Sequence, residues 1–235
     1  MATFLLIHGG GTRGSTFDLL AAELRDLGHD VVAPDLPIDE PTGDLSRCAR
    51  HALEQVPDAS SELVVVGHSF GGLIAPLAAA WSDADLLVLI SAMVPTPGET
   101  AGDWWQASGW EAALHGVDMS DEIATYLHDV PVDIARADLA TVRDHGEASM
   151  VEPWPLDAWP DVPTRVLAFA DDRFLPLAFQ EQLARERIGV EVEVMGGSHG
   201  AYLSRPEEVA INLDAYWRDV SAGEQAIDRS GARGT

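Results

Sequence analysis

The sequence contains no lysine and only one cysteine, and each scarcity excludes a group of functions. All 14 basic residues among the 235 are arginine. Without lysine the chain can neither form a Schiff base with a carbonyl substrate nor supply the phosphate-binding lysine of a P-loop. Because Cys48 is the only cysteine, an intramolecular disulfide and a cysteine-based metal cluster are both impossible.

Positive charge is also scarce. The 39 acidic residues outnumber the 14 arginines, which gives a formal net charge of −25 at pH 7. Such a surface repels phosphate backbones and anionic lipids, so we expect a small-molecule partner and neither nucleic acid nor membrane binding. The apolar run at residues 4–7 is too short for a signal peptide or a membrane span, which predicts a cytoplasmic protein. The oligomeric state stays open.

Short apolar runs alternate with segments of helical periodicity along most of the chain. This pattern predicts an α/β fold with a mostly parallel, six-stranded sheet flanked by helices. The predicted strands are residues 4–7, 31–33, 63–66, 86–90, 166–169 and 190–194, and the predicted helices are residues 15–28, 44–56, 177–188 and 206–220. Pro76 lies inside a further apolar helix, where we expect a kink or a local break.

The pattern changes between residues 94 and 161, where five of the seven tryptophans fall and no strand is convincing. We interpret this segment as a helical cap inserted after the fourth strand. Residues 1–220 are then a single domain that includes the cap, and the polar residues 221–235 are predicted to be a disordered tail. Three of the cap tryptophans, Trp104, Trp105 and Trp110, are candidates for an apolar substrate pocket.

The strongest motif is the pentapeptide GHSFG at residues 67–71, which follows the strand LVVV and precedes an apolar helix. A serine at such a strand-to-helix turn is strained and exposes its hydroxyl, and the flanking glycines avoid clashes with neighbouring backbone. This is the nucleophile elbow, with Ser69 as the candidate nucleophile. The backbone N–H of Phe70 would then face a developing oxyanion.

A serine nucleophile needs a base, and the base needs an acid to orient it. Asp171 and Asp172 follow the fifth strand, and His199 follows the sixth. Loops at the carboxyl ends of parallel strands meet at one edge of the sheet, so Ser69, an aspartate and His199 are expected to converge. We favour Asp172 as the acid and expect Asp171 to be a turn residue or a support for the loop.

The loop after the first strand has the sequence HGGG. Glycine allows backbone to approach a substrate closely, so the N–H of Gly10 is the expected second oxyanion donor. His8 and His68 flank the predicted site. Each could line it, although bracing of the loops by hydrogen bonds is the simpler interpretation, and His68 is retained as a candidate pocket residue.

Taken together, the HGG loop, PDLP at residues 34–37, GHSFGG, DDRFLP and the SH of GGSHG resemble the α/β-hydrolase family in order and spacing. The resemblance spans nearly the whole chain and is closest to its compact single-domain esterase and hydroxynitrile-lyase branch. It implies an acyl-enzyme mechanism without cofactor or metal. The expected activity is that of a serine hydrolase, carboxylesterase-like, cleaving a small apolar or neutral ester, amide or thioester.

Two other interpretations stay open at this stage. Gly9, Gly11 and Gly14 follow a strand in a GxGxxG pattern, and Asp35 lies about 20 residues further on, as in the fingerprint of NAD(P)-binding oxidoreductases. A hydrolase scaffold can also serve as a non-catalytic receptor for a small ligand. The oxidoreductase interpretation assigns no role to GHSFGG, Asp172 and His199. The receptor interpretation assigns no catalytic role to them, although all three are present.

Overall fold

The computed structural model describes residues 1–58, 62–114 and 118–231, with side chains up to residue 223. The strands are β1 (Thr3–Ile7), β2 (Asp30–Val32), β3 (Leu63–Ser69), β4 (Leu86–Ala92), β5 (Thr164–Phe169) and β6 (Val192–Met195). Within the described ranges they form one six-stranded sheet in the order β2-β1-β3-β4-β5-β6, and every neighbouring pair is parallel. The predicted α/β class and parallel sheet are confirmed, with strand boundaries that differ from the predicted ones by up to three residues.

The helices fall into a flanking set and a cap. They are α1 (Asp18–Asp26), α2 (Leu45–Leu53), α3 (Ala75–Ala80), α4 (Ala101–Ala107), α5 (Trp110–Ala113), α6 (Glu122–Tyr126), α7 (Val132–Leu139), α8 (Glu147–Val151), α9 (Leu177–Ile188), α10 (Ala201–Ser204) and α11 (Pro206–Gly231). Helices α4 to α8 are all short and lie between β4 and β5, which confirms the predicted helical cap after the fourth strand. None of the helices in the described part of the chain is both long and apolar enough to cross a membrane.

Helices cover both faces of the sheet, and this explains why its strands are continuous apolar runs. Every residue of β1, β3 and β4 is buried. Successive side chains alternate between the faces, so that Leu5 and Ile7 pack in one core with α2, α3 and α9, whereas Phe4 and Leu6 pack in the other with α1 and α11. Packing in the two cores fixes the positions of the carboxyl ends of the strands and of the loops that follow them.

Local sequence explains some of the helix ends, and two predictions need correction. Asp44 caps α2 by accepting a hydrogen bond from the Arg47 backbone N–H at 2.6 Å. The predicted first helix begins instead as a short 3-10 turn over Gly14–Phe17 before α1. Helix α11 continues to Gly231, so its predicted end near residue 220 is wrong; of the predicted tail, residues 232–235 lie outside the described residues.

The predicted break at Pro76 is present. A 3-10 turn over Phe70–Leu73 follows Ser69, and α3 starts only at Ala75, with Pro76 in its first turn. Proline is tolerated there because the first turn of a helix has no intrahelical partner for its N–H groups. The chain therefore changes helix type directly behind the candidate nucleophile.

Candidate active site

Ser69 ends β3 in a strained backbone conformation. Its φ is 52° and its ψ is −122°, and the β3–β4 register shifts between His68 and Ser69. A positive φ is uncommon for a residue with a side chain, and such strain persists only where the surrounding fold enforces it. The geometry is that of the predicted elbow, with the 3-10 turn starting at the next residue.

Gly71 lets the elbow pack against β1. A Cβ atom on Gly71 would lie 2.5 Å from the Ile7 carbonyl oxygen and 2.8 Å from that of His8, and both are backbone atoms that cannot swing aside. The absence of a side chain at this position therefore permits the elbow to lie directly on the end of β1, next to the HGGG loop.

Gly71→Ala is expected to lower the free energy of unfolding by about 1–3 kcal/mol, because the added methyl group overpacks this contact. Urea unfolding followed by circular dichroism measures the change. The matched control is Gly223→Ala in α11, where an added Cβ meets nothing within 4 Å, so that helix propensity raises stability by up to about 1 kcal/mol. Unchanged stability of Gly71→Ala would contradict the close contact.

His199 is bound to Asp172. The imidazole Nδ1 donates to the Asp172 carboxylate at 2.7 Å, and only 5% of either residue is exposed. The other carboxylate oxygen accepts the backbone N–H groups of Phe174 and Leu175, both at 2.8 Å. Because both oxygens are engaged, Asp172 fixes the orientation of the imidazole and places Nε2 away from itself.

Asp171 points in another direction. It is exposed, and its carboxylate accepts the backbone N–H of Gly197 at 3.1 Å. Its own N–H donates to the Gly197 carbonyl at 3.1 Å. The residue therefore ties the loop after β5 to the loop that carries the histidine, which corresponds to the support expected from the sequence.

His8, the first residue of the HGGG loop, and His68, the residue before Ser69, both brace loops around the site. His68 Nε2 donates to the His199 carbonyl at 3.0 Å, and His8 Nε2 accepts the Leu36 N–H at 3.0 Å. Burial lowers the pKa of His68 well below its usual value and that of His8 to about 4, so both imidazoles are neutral at pH 7. His68 also lines the cavity described next.

Ser69, His199, Gly10 and Phe70 line one cavity of about 250 Å³ at the carboxyl edge of the sheet. Asp172 lies behind His199 and does not line it. The hydrogen bonds of the described residues include none between Ser69 and His199, so the two side chains share the cavity without a direct bond in this structure. Hydrogen bonds of this kind are often long before substrate binds. The remaining lining residues are Gly9, Thr12, His68, Met93, Trp105, Glu122, Tyr126, Leu127, Asp138, Leu139, Val142, His145, Phe174, Gly200 and Tyr202.

Of the three tryptophans predicted to line the pocket, only Trp105 does so. Trp104 is fully buried and donates its indole N–H to the Val94 carbonyl at 3.0 Å, as a core residue. Trp110 donates to the Phe174 carbonyl at 2.8 Å and packs behind Phe174 and Trp105. The prediction for Trp104 and Trp110 is wrong because adjacent and nearby residues of short helices point to different sides of the cap.

Several cavity residues were missed by sequence analysis. Tyr202 was detectable in principle, because it follows His199 by three residues at the start of a helix, on the side that faces the elbow. Phe174 lies inside the DDRFLP motif at residues 171–176, although it was not singled out there. Tyr126, Asp138 and His145 lie in the cap and carry no local signal, since only the packing of the cap onto the sheet brings them to the cavity.

The glycine loop does not leave Asp35 free for a nucleotide ribose. Its carboxylate accepts the Gly14 N–H at 2.7 Å and the Arg13 guanidinium at 3.2 Å. Asp35, in the segment after β2, thus binds this segment to the glycine loop through contacts within the protein. These contacts give Gly14 and Asp35 a structural role that involves no dinucleotide.

A serine held at positive φ where a parallel strand meets a helix is the mark of the α/β-fold hydrolases, and the fold and the site together put this protein in that class. More particularly, residues 4–212 match the sequence profile of the Alpha/beta hydrolase family, so the chain belongs to that family. The resemblance seen in the sequence motifs is confirmed.

Individual relatives are similar at lower identity. A pyrethroid hydrolase of Sphingobium wenxiniae is 24% identical over 237 aligned positions, which cover 88% of this chain and 84% of that protein. A solved pyrethroid hydrolase from Sphingobium faniae has a TM-score of 0.72 at 22% identity, with 92% of this chain and 96% of the other covered. Polyneuridine aldehyde esterase has a TM-score of 0.76 at 18% identity, covering 92% and 99%. These structural likenesses, both below 25% identity, concern the fold.

Proposed function

We propose that this protein is a serine hydrolase, carboxylesterase-like, that cleaves a small neutral or apolar ester through an acyl-enzyme. The observation that carries the proposal is that Ser69, held at positive φ, and His199, hydrogen-bonded to Asp172, line the same cavity. Amides and thioesters undergo the same acyl transfer and are included as substrates.

In the proposed reaction the Ser69 hydroxyl attacks the ester carbonyl while His199 Nε2 accepts its proton. Asp172 keeps the Nδ1 proton in place and stabilises the imidazolium. The backbone N–H groups of Gly10 and Phe70 hold the oxyanion. His199 then donates its proton to the departing alkoxide, and a water molecule, deprotonated by the same imidazole, hydrolyses the acyl-enzyme and restores Ser69. Each step is acid–base and acyl-transfer chemistry of these side chains.

The cavity wall supports an uncharged substrate. It combines apolar side chains such as Met93, Leu139 and Phe174 with two acidic residues, Glu122 and Asp138, and none of the described residues that line it is arginine. Burial raises the pKa of Asp138, as expected where the surroundings disfavour a negative charge. A substrate carboxylate would add a further acidic group beside Glu122 and Asp138.

A neutral ester is therefore expected to be a better substrate than its anionic counterpart. p-Nitrophenyl butyrate and mono-p-nitrophenyl succinate have similar acyl lengths and the same leaving group, so the comparison isolates the charge. We expect kcat/KM to be at least about tenfold lower for the succinate, since about 1.4 kcal/mol of repulsion gives that factor. Equal or faster hydrolysis of the succinate would contradict the assignment of substrate charge.

The test of the proposed function itself is covalent labelling together with turnover. A fluorophosphonate probe should label Ser69, identified by mass spectrometry, and p-nitrophenyl butyrate should be hydrolysed over many cycles. A receptor would bind the ester without releasing p-nitrophenol in successive cycles. An oxidoreductase would bind NADH tightly and stay unlabelled, and either result would overturn the proposal.

A further inference from the structure

A cap histidine lies against the candidate oxyanion hole. His145, between α7 and α8, lines the cavity, and its ring centroid is 4.6 Å from that of Phe70 in an edge-to-face contact. Its Nε2 atom is so close to Gly10 that a Cβ on that glycine would lie only 2.4 Å away. A side chain at position 10 would therefore occupy the space that the imidazole uses.

We propose that His145 is a catalytic residue whose Nε2–H donates a hydrogen bond to the carbonyl oxygen of the substrate as it becomes an oxyanion. It would be a third donor, supplied by the cap, beside the backbone N–H groups of Gly10 and Phe70. The inference rests on the proposed function, because it assigns a role in that reaction.

The surroundings of the imidazole favour a donor at Nε2. The Nδ1 atom is buried and has no hydrogen-bond partner among the described residues. A proton on Nδ1 would be a buried donor without an acceptor, which costs more than a lone pair left unpaired. The neutral tautomer with its proton on Nε2 avoids this cost and directs the N–H toward Gly10 and the cavity.

The imidazole also remains uncharged in this place. Burial, together with the nearby Arg143 guanidinium, lowers the pKa of His145, and the exposed Asp144 opposes this shift only in part. A neutral donor stabilises the negative charge that develops on the carbonyl oxygen. It does not compete with His199 as a proton acceptor at pH 7 to the extent that an unperturbed histidine would.

The backbone on both sides of His145 is fixed to the core. The Arg143 N–H donates to the Gly11 carbonyl at 2.8 Å, and the Gly146 N–H donates to the Ile38 carbonyl at 2.7 Å. The Arg143 guanidinium adds a bond to the Leu36 carbonyl at 2.7 Å. These contacts hold the imidazole in position before substrate arrives, and such preorganisation is what makes an oxyanion donor effective.

Two variants separate a donor from a space-filling ring. His145→Phe keeps a planar ring and removes the N–H, whereas His145→Gln restores an N–H donor near the position of Nε2. With p-nitrophenyl butyrate we expect His145→Phe to lower kcat by roughly 10²-fold with little change in KM, as for loss of one oxyanion donor. His145→Gln should recover most of that loss. A trifluoromethyl ketone, which forms a tetrahedral oxyanion adduct, should lose affinity in His145→Phe by a similar factor.

The control is His128→Phe, which removes another cap imidazole whose Nδ1 is buried and unpaired but which does not line the cavity; its kcat should match that of the wild type. Fluorophosphonate titration to the end point counts competent Ser69 in every variant, so misfolded protein is excluded from kcat. If His145→Phe keeps the wild-type kcat, or if His145→Gln is as impaired as His145→Phe, the inference is overturned. If wild-type protein itself is neither labelled nor active, it is the proposed function that fails.

Discussion

Ser69→Ala is expected to abolish ester hydrolysis, with kcat reduced by about 10⁶-fold, and to abolish fluorophosphonate labelling. The methyl group cannot form an acyl-enzyme, and the remaining contacts of the cavity bind substrate without covalent chemistry. The measurement is steady-state hydrolysis of p-nitrophenyl butyrate together with mass spectrometry of the labelled protein. Substrate binding should persist, because the lining residues are unchanged.

Ser91→Ala provides the control, since Ser91 is the other serine at positive φ, 39°, in the described chain. It is buried away from the cavity, and its hydroxyl accepts the Phe169 N–H at 3.1 Å. Its loss leaves that N–H unpaired, so about 1–3 kcal/mol of stability is lost while labelling at Ser69 continues. If positive φ were sufficient to make a serine nucleophilic, Ser91 would also be labelled by the fluorophosphonate. Labelling or rapid turnover in Ser69→Ala would exclude Ser69 as the nucleophile.

Asp172→Asn is expected to lower kcat by about 10⁴-fold while leaving the fold intact. The Phe174 and Leu175 N–H groups require an acceptor, so they bind the amide oxygen and turn the amide NH₂ toward His199. Nδ1 must then accept a hydrogen bond, which moves the imidazole proton to Nε2. In that tautomer His199 cannot take the proton of Ser69. The pre-steady-state burst of p-nitrophenol measures the lost acylation step.

Asp171→Asn is the matched control at the adjacent position. The amide oxygen of asparagine can still accept the Gly197 N–H, and the residue does not contact His199. We expect kcat to change by less than about threefold, which is about 0.6 kcal/mol or less. If Asp171→Asn were the crippled variant and Asp172→Asn active, the assignment of the acid would be wrong.

The sequence was most informative where chemistry imposes a local pattern. Buried parallel strands require apolar runs, so all six strands could be located from residues such as Val64–Val66 and Leu87–Leu89, and only their ends shifted. The elbow was visible because a strained serine needs small neighbours at fixed positions on either side. His199 was singled out as the histidine that follows the last strand.

The choice between Asp171 and Asp172 as the acid cannot be made from local sequence patterns. Both are aspartates after the same strand, and neither composition nor spacing distinguishes them. Only the turn after β5 decides which carboxylate meets His199 at 2.7 Å and which meets the Gly197 backbone. Successive side chains in an extended segment point to opposite sides. Which of the two aspartates faces His199 therefore depends on how the turn packs in three dimensions.

The sequence of the cap likewise does not indicate which of its side chains line the cavity. Its aromatic content suggested a pocket wall, yet Trp104 packs into the core and Trp110 behind Phe174, while His145 contacts Gly10 without any sequence signal. Short helices joined by turns have no long periodicity from which an inward face could be read.

The order of amino acids alone is enough for the parallel α/β sheet, the elbow at Ser69 and the presence of a histidine and carboxylates after later strands, because each depends on neighbours in the chain. The identity of the carboxylate on His199 is decided by the packing of two loops 27 residues apart. The composition of the cavity wall and the position of His145 depend on contacts across much longer stretches of chain, such as that between His145 and Gly10. The first is set by how the loops after β5 and β6 pack together, the others by how the cap packs onto the sheet, and both are properties of the folded chain.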